Sequence, residues 1–192
     1  MPDAMKPPGV RLATPDDAER LAQLLHEFNV EFGTDTPGPD VLAPRLRRLL
    51  GTDRTFCVVA GDPISGFGLV TLRPNVWFDS PVALLDELYV VPHLRGHGIG
   101  SSLLAGVESV CRARGVEQVE INVDEPDHDA RRFYERHGYR CGDPDGGTAL
   151  YYERLLTDRT AIDCVASAPS RLRADRAGAD TRPATVARPG KR

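Results

Sequence analysis

One stretch of the chain, Leu88 to Leu104, carries residues whose types and spacing could do chemistry. It reads LYVVPHLRGHGIGSSLL and passes from an apolar β-type segment, through a short basic loop, into an amphipathic helix. Gly96, Gly98 and Gly100 stand at alternate positions and let the backbone approach a ligand closely. Ser101 and Ser102 follow where the helix starts, so its first unpaired N–H groups face back toward the loop. Oriented donors and the positive end of a helix dipole together make an anion site. Arg95 adds a full positive charge beside it. A phosphate-bearing ligand fits this chemistry. Two familiar phosphate patterns fail, however: no Lys follows the glycines, as a nucleotide-hydrolysing loop requires. Ser101 also stands where a dinucleotide fingerprint needs its third glycine. A ligand-free strand-to-helix turn is the bland alternative.

Other reactive types cluster less tightly. Asp86 and Glu87 interrupt the apolar run Val82–Val91 (VALLDELYVV). On a regular strand adjacent side chains face opposite ways, so one acid faces a cleft and the other is paired or at an edge. Tyr134 falls on a later helix, where core packing is the competing role. His93 and His97 are four apart but not on a helix, which argues against a metal pair; His97 suits a donor to phosphate. His26, His128 and His137 read as surface residues. The cysteines (Cys57, Cys111, Cys141, Cys164) are scattered with no CxxC pair. A zinc site or disulfide framework is therefore poorly supported, and a reducing, cytoplasmic setting fits better.

The elements that must position these residues follow from patterning. Val10–Ala13 is a short strand, and Thr14-Pro15-Asp16-Asp17 starts a helix whose Leu21, Leu24, Leu25 and Phe28 recur at helical spacing. The breaking segment 33–40 leads to a second helix over 41–50. Strands are expected at 56–60, 67–72 and 82–91, the last continuous enough to be covered on both faces. After the glycine loop, Leu103, Leu104, Val107 and Val110 form a helical stripe ending near Gly115. A strand at 116–123 follows, parallel to 82–91 through a right-handed crossover. Asp127 could cap a helix to Arg136, and 139–141 with 148–155 read as closing strands across Gly146-Gly147. The order is β-α-α-β-β-β-α-β-α-β-β.

Length and charge bound the rest. With 192 residues and 41% apolar content, one domain with appendages is expected. Residues 1–9 read as a flexible N-terminus and 157–192 as an Ala/Arg/Pro-rich disordered tail. The tail holds eight basic residues against four acidic, which leaves residues 1–156 with a net charge of −8 beneath the overall −4. An acidic body disfavours nucleic acid and favours cationic partners. No apolar run approaches the roughly 18–20 residues that span a bilayer, so a membrane role is not expected.

The glycine loop resembles the acyl-CoA loop of the Gcn5-related N-acetyltransferase (GNAT) superfamily, [RQ]-x-x-G-x-[GA], at Arg95-Gly96-His97-Gly98-Ile99-Gly100. LDELYVVPHLRGHGIGSSLL (85–104) is similar to that family's fourth strand, loop and helix as one block. ARRFYERHGY (130–139) resembles its later helix, and VRLATPDDAERLAQLL (10–25) its opening strand and helix. The resemblance implies a single α/β GNAT-like domain over 10–156, with a mixed, mostly antiparallel sheet, a central splayed parallel pair and flanking helices.

It also implies roles. The pyrophosphate of acetyl-CoA would sit on the backbone N–H groups of Arg95, Gly96, His97, Gly98, Ile99, Gly100 and Ser101, with the Arg95 side chain adding to this. The pantetheine would lie along Leu88, Tyr89 and Val90, and the Val90 N–H would polarise the thioester carbonyl. Tyr134 matches the tyrosine that donates to the leaving sulfur. Glu87 would deprotonate the amine directly or through water, a water chain being the alternative. Asp127 stands where many relatives place an Asn that contacts CoA; either that contact changes or Asp127 mainly caps the helix. Asn122 stands where some protein-terminus acetylating relatives use a Glu.

The implied activity is acetyl transfer from acetyl-CoA to a primary amine by direct attack in a ternary complex, with no metal. A small cationic amine (a polyamine, an aminoglycoside-like compound or an amino acid) is expected. A protein lysine or N-terminus competes with it, and a non-catalytic acyl-CoA sensor is the reading from another class. The acceptor site would use the first two helices, their connection and the Trp77–Pro81 segment. Glu31, Asp35, Asp79 and Asp124 are candidates to line it, with Trp77 and Phe78 offering an aromatic face. A homodimer is left open.

Overall fold

A computed structural model describes residues 9–142. The N-terminal eight residues, the expected strand at 148–155 and the tail from 157 lie outside the described residues. The chain forms β1 (Val10–Leu12), α1 (Ala18–Glu31), α2 (Pro39–Leu50), β2 (Thr55–Ala60), β3 (Gly66–Arg73), β4 (Val82–Val90), α3 (Ile99–Ala113), β5 (Val119–Ile121) and α4 (His128–Arg136). The five strands lie in chain order, β1 to β4 antiparallel and β5 parallel to β4. The expected crossover through α3 therefore exists. Tyr139–Cys141, expected as a strand, is irregular chain.

Local chemistry explains the N-terminal entry. Asp17 accepts the Thr14 backbone N–H at 2.8 Å and both terminal nitrogens of Arg11 at 2.8 Å, closing the turn before α1. These hydrogen bonds from Arg11 hold the Asp17 carboxyl down at about 2. α1 then continues past Phe28 to Glu31, where the Asn29 amide donates to the Leu25 carbonyl at 2.8 Å. Pro39, a residue suited to a first turn, opens α2 two positions earlier than Val41.

The sheet is covered on both faces. Leu21, Leu24 and Leu46 of α1 and α2 pack with Cys57, Val59, Phe67, Leu69 and Tyr89. Ile99, Leu103, Leu104 and Val107 of α3 pack on the other face with Val58, Val70, Leu85 and Val90. Among the described residues, no helix is long and apolar enough to cross a membrane.

α3 approaches the sheet closely because glycine stands at the contacts. A Cβ on Gly66 would lie 2.9 Å from the Tyr89 carbonyl oxygen and 3.1 Å from a Leu103 methyl. Backbone rather than a pliable side chain is in the way. Gly66→Ala is expected to cost about 1–3 kcal/mol by forcing β3 from β4. A lowered thermal midpoint would check this, and a midpoint equal to wild type would show that the strands yield freely.

Two features of β4 matter most. Its register with β3 shifts between Leu69 and Val70: Glu87 opposes Leu69, but Leu85 opposes Val70. Asp86 is the extra residue of a β-bulge. Second, β4 and β5 pair only over Ala83–Leu85 and Val119–Ile121. Beyond that the parallel strands part, and among the described residues no strand covers the edge at Leu88–Val90.

Candidate active site

The open edge of β4 presents backbone groups in a definite order. Val91 donates its N–H across to Ser65 at 3.0 Å. Successive N–H groups on an antiparallel strand alternate between its two edges. The N–H of Val90 therefore faces away from β3, into the opening, and that of Leu88 faces the same way.

At the end of β4 the chain makes a short turn, Pro92–Leu94, and Arg95 closes it by donating its N–H to the Pro92 carbonyl at 3.2 Å. Gly96 (φ 77°) and Gly98 (φ 81°) then take left-handed conformations that side chains disfavour. Gly98 is the N-cap of α3, and no side chain caps that helix. The first intrahelical donor is Ser102, whose N–H reaches the Gly98 carbonyl at 3.0 Å. From Gly96 to Ser101, no backbone N–H has an acceptor among the described residues. A long helix with an uncapped positive end, fed by a left-handed glycine turn, can hold an anion of phosphate type.

The Arg95 N–H is thus spent within the turn, and its side chain turns away from this cradle. The guanidinium bonds Glu31 and the Val90 carbonyl. Glu31, on α1, is a partner that the sequence reading did not assign to it. The pull of an ideal carboxylate partner on α1 was invisible in a sequence 64 residues apart. His97 is exposed and its ring nitrogen lies 3.3 Å from the Leu94 carbonyl.

The bulge corrects the expected orientation of the two acids. With a regular strand they would face opposite ways. With Asp86 extruded, Glu87 takes the side of Leu69 and Tyr89, and Asp86 reaches Thr71, on that same side, with a 2.6 Å hydrogen bond from the hydroxyl. Burial, and then the charge of Asp86, push the Glu87 carboxyl up to about 7. Such a group can accept a proton near neutrality.

Tyr134 comes from α4. Its ring packs edge-on against Phe133 at 5.2 Å and near Tyr139 at 5.8 Å. Burial, then the charges of Asp127 and Glu87, push its hydroxyl up to about 12. Asp127 accepts the Ala130 N–H at 2.9 Å, so it caps α4. The Tyr89 side chain lies under α1, 5.1 Å from Phe28; only its backbone belongs to the open edge.

Other expected residues are not brought here. Trp77 is exposed, on a connection pinned by Asn75, whose side-chain oxygen accepts the N–H groups of Trp77 and Phe78 at 2.8 and 2.9 Å. That connection, Asp79 included, enters β4 at Val82, roughly 25 Å along the strand from Val90.

His137, expected at the surface, is exposed yet has two partners. It sits at the end of α4, and its Nδ1 lies 2.7 Å from the Phe133 carbonyl, which can only accept. Its Nε2 lies 3.0 Å from Ser101 Oγ. In the neutral ring Nδ1 carries the proton and Nε2 takes the serine hydroxyl. α4 is thereby tied to the first turn of α3. Ser101 lies 36 residues away in the chain, and nothing in the sequence pairs the two.

A mixed α/β sheet whose parallel pair parts beside a glycine-fed helix N-terminus is the class of fold that the sequence resemblance implied. The chain matches the acetyltransferase (GNAT) family over residues 18–139 and belongs to it. A crystal structure from Arthrobacter sp. FB24, provisionally assigned as an acetyltransferase, is 51% identical, with a TM-score of 0.72 over 77% of this chain and 95% of that one. The aminoglycoside N(6')-acetyltransferase type 1 of Stenotrophomonas maltophilia is 31% identical over 78% of this chain and 94% of its own length. N-alpha-acetyltransferase 80 of Mus musculus is 40% identical over 41% of this chain, which spans only 24% of that protein's length.

Proposed function

We propose that this protein is an acetyl-CoA-dependent N-acetyltransferase that acetylates the primary amine of a small cationic molecule by direct attack in a ternary complex. The observation that carries the reading is the uncapped N-terminus of α3 next to an edge of β4 that no strand covers among the described residues, with Glu87 on that same strand. Bound acetyl-CoA would supply an activated acyl group. The N–H groups of Gly96 to Ser101 would hold its pyrophosphate, and Leu88 and Val90 its arm. The N–H of Val90 is aimed to hydrogen-bond a carbonyl oxygen as charge gathers on it. Glu87 takes the proton of the ammonium, and Tyr134 keeps a proton at the departing sulfur. The scattered cysteines fit action in a reducing cytoplasm.

A small cationic acceptor is supported by the acidic body and by the Stenotrophomonas relative, aligned over nearly its whole length. The test is a panel of a polyamine, an aminoglycoside, free lysine and an N-terminal peptide with acetyl-CoA, followed by free thiol release. Release with the peptide alone would move the acceptor to proteins, as the mouse relative would suggest. Acetyl-CoA binding without release for any amine would favour a sensor.

The tie between His137 and Ser101 makes a further prediction. His137→Ala frees the first turn of α3 and is expected to weaken acetyl-CoA binding about three- to tenfold, the worth of one hydrogen bond. Calorimetry checks this; unaltered affinity would show that the tie is incidental to the donor.

A further inference from the structure

The cation that begins the glycine loop is the knot of a three-way junction. Arg95 Nε donates to the Val90 carbonyl at 2.8 Å, and its two terminal nitrogens bond the two Glu31 oxygens at 2.6 and 2.8 Å. The guanidinium carbon lies 5.4 Å from the centre of the Tyr89 ring. All three nitrogens are in use, so the planar fork is fixed in place. Glu31 is the last residue of α1, immediately before the connection to α2. One turn earlier Phe28 rests on Tyr89, with Phe32 against it at 5.2 Å. The charge of Arg95 is also matched by Glu31. What it offers a phosphate is small, and the N–H groups of the loop must hold the anion.

We propose that Arg95 and Glu31 are positioning residues, a clasp through which occupation of the glycine loop orders the last turn of α1 and the connection beyond it. The clasp joins the end of the donor strand and the start of the donor loop to the helix that would wall the acceptor. This rests on the reading that the loop binds acetyl-CoA. Donor binding would then prepare the acceptor side before the acceptor arrives.

Wild type, Glu31→Gln, Arg95→Gln, Arg95→Lys and the double variant Glu31→Gln/Arg95→Gln test it. Calorimetry gives the affinity for acetyl-CoA, and hydrogen exchange follows residues 28–34 with and without it. In wild type, acetyl-CoA is expected to slow exchange there by about threefold or more. Each single variant is expected to lose that slowing while still binding acetyl-CoA within about threefold of wild type, and the double variant to match the singles. Arg95→Lys keeps the charge without the fork and is expected to behave like Arg95→Gln. If Arg95→Gln weakens acetyl-CoA about tenfold while Glu31→Gln does not, Arg95 serves the phosphate and the clasp is overturned. Retained slowing in Glu31→Gln overturns it as well. Should wild type fail to bind acetyl-CoA, the acetyltransferase reading falls, and exchange without ligand judges the clasp alone. Equal acceleration at 28–34 in both single variants supports it, and unequal acceleration refutes it.

Discussion

Glu87→Gln is expected to lower kcat/KM by about 10²–10³-fold and to erase the acidic limb of its pH profile. The wild-type carboxyl titrates at about 7 because burial disfavours its charge and Asp86 adds repulsion. A base must be ionised, so activity should rise with pH through about 7 and level above it. The kcat/KM profile reports the free enzyme, the state described here. Asp86→Asn removes the second cause and should move the limb to lower pH, without erasing it. A Glu87→Gln profile retaining the wild-type limb would assign that limb to another group and return the base to a water chain.

The same shift has a stability consequence of opposite sign. Glu87 has a folded pKa above its ordinary 4.5. Between those values the folded chain binds more protons than the unfolded one, so stability falls as pH rises through that window. Above about 7 the whole penalty is present; below 4.5 it is absent. Glu87→Gln should therefore be more stable than wild type at pH 8, by about 3 kcal/mol, and nearly equal at pH 4. Denaturant unfolding at the two pH values measures this. A site that gains stability when it loses its base carries strain for function.

Much of the fold was legible because its signals are local. The stripe Leu103, Leu104 and Val107, the continuous run of β4 and the glycine punctuation each fix an element without knowledge of its neighbours. What escaped was set by pairing between distant segments. The bulge at Asp86 arises from the register of β4 against β3, and the alternation of a lone strand cannot reveal it. That slip puts Asp86 on the same side as Glu87 and Tyr89. The pairing of Arg95 with Glu31 joins residues 64 apart, so neighbours in sequence give no sign of the carboxylate that bonds both its terminal nitrogens. His137 meets Ser101 only because α4 folds back over the start of α3. The directions of main-chain N–H groups follow from local parity and glycine turns. Side-chain roles depended on partners that only the fold supplies.

Tyr134→Phe is expected to lower kcat by about 10–100-fold, the loss of one hydrogen bond to a developing charge. The ring stays between Phe133 and Tyr139, so the variant should fold and bind acetyl-CoA within about twofold of wild type. The size of the loss follows from the hydroxyl's environment. Burial and the carboxylates of Asp127 and Glu87 push it up to about 12. A thiol titrates near 8.5, so complete transfer of the phenolic proton to the thiolate would be uphill by roughly three units. Tyr134 therefore acts by donating a hydrogen bond to the sulfur as its charge grows, not by surrendering its proton. Two measurements separate these modes. With hydrogen-bond donation, the wild-type rate stays level to about pH 10, because the hydroxyl remains protonated throughout. An acid with a lowered pKa would instead give a falling limb below pH 9. Unchanged turnover in Tyr134→Phe would leave the ring as packing alone, and the departing thiolate would then have to take its proton from solvent.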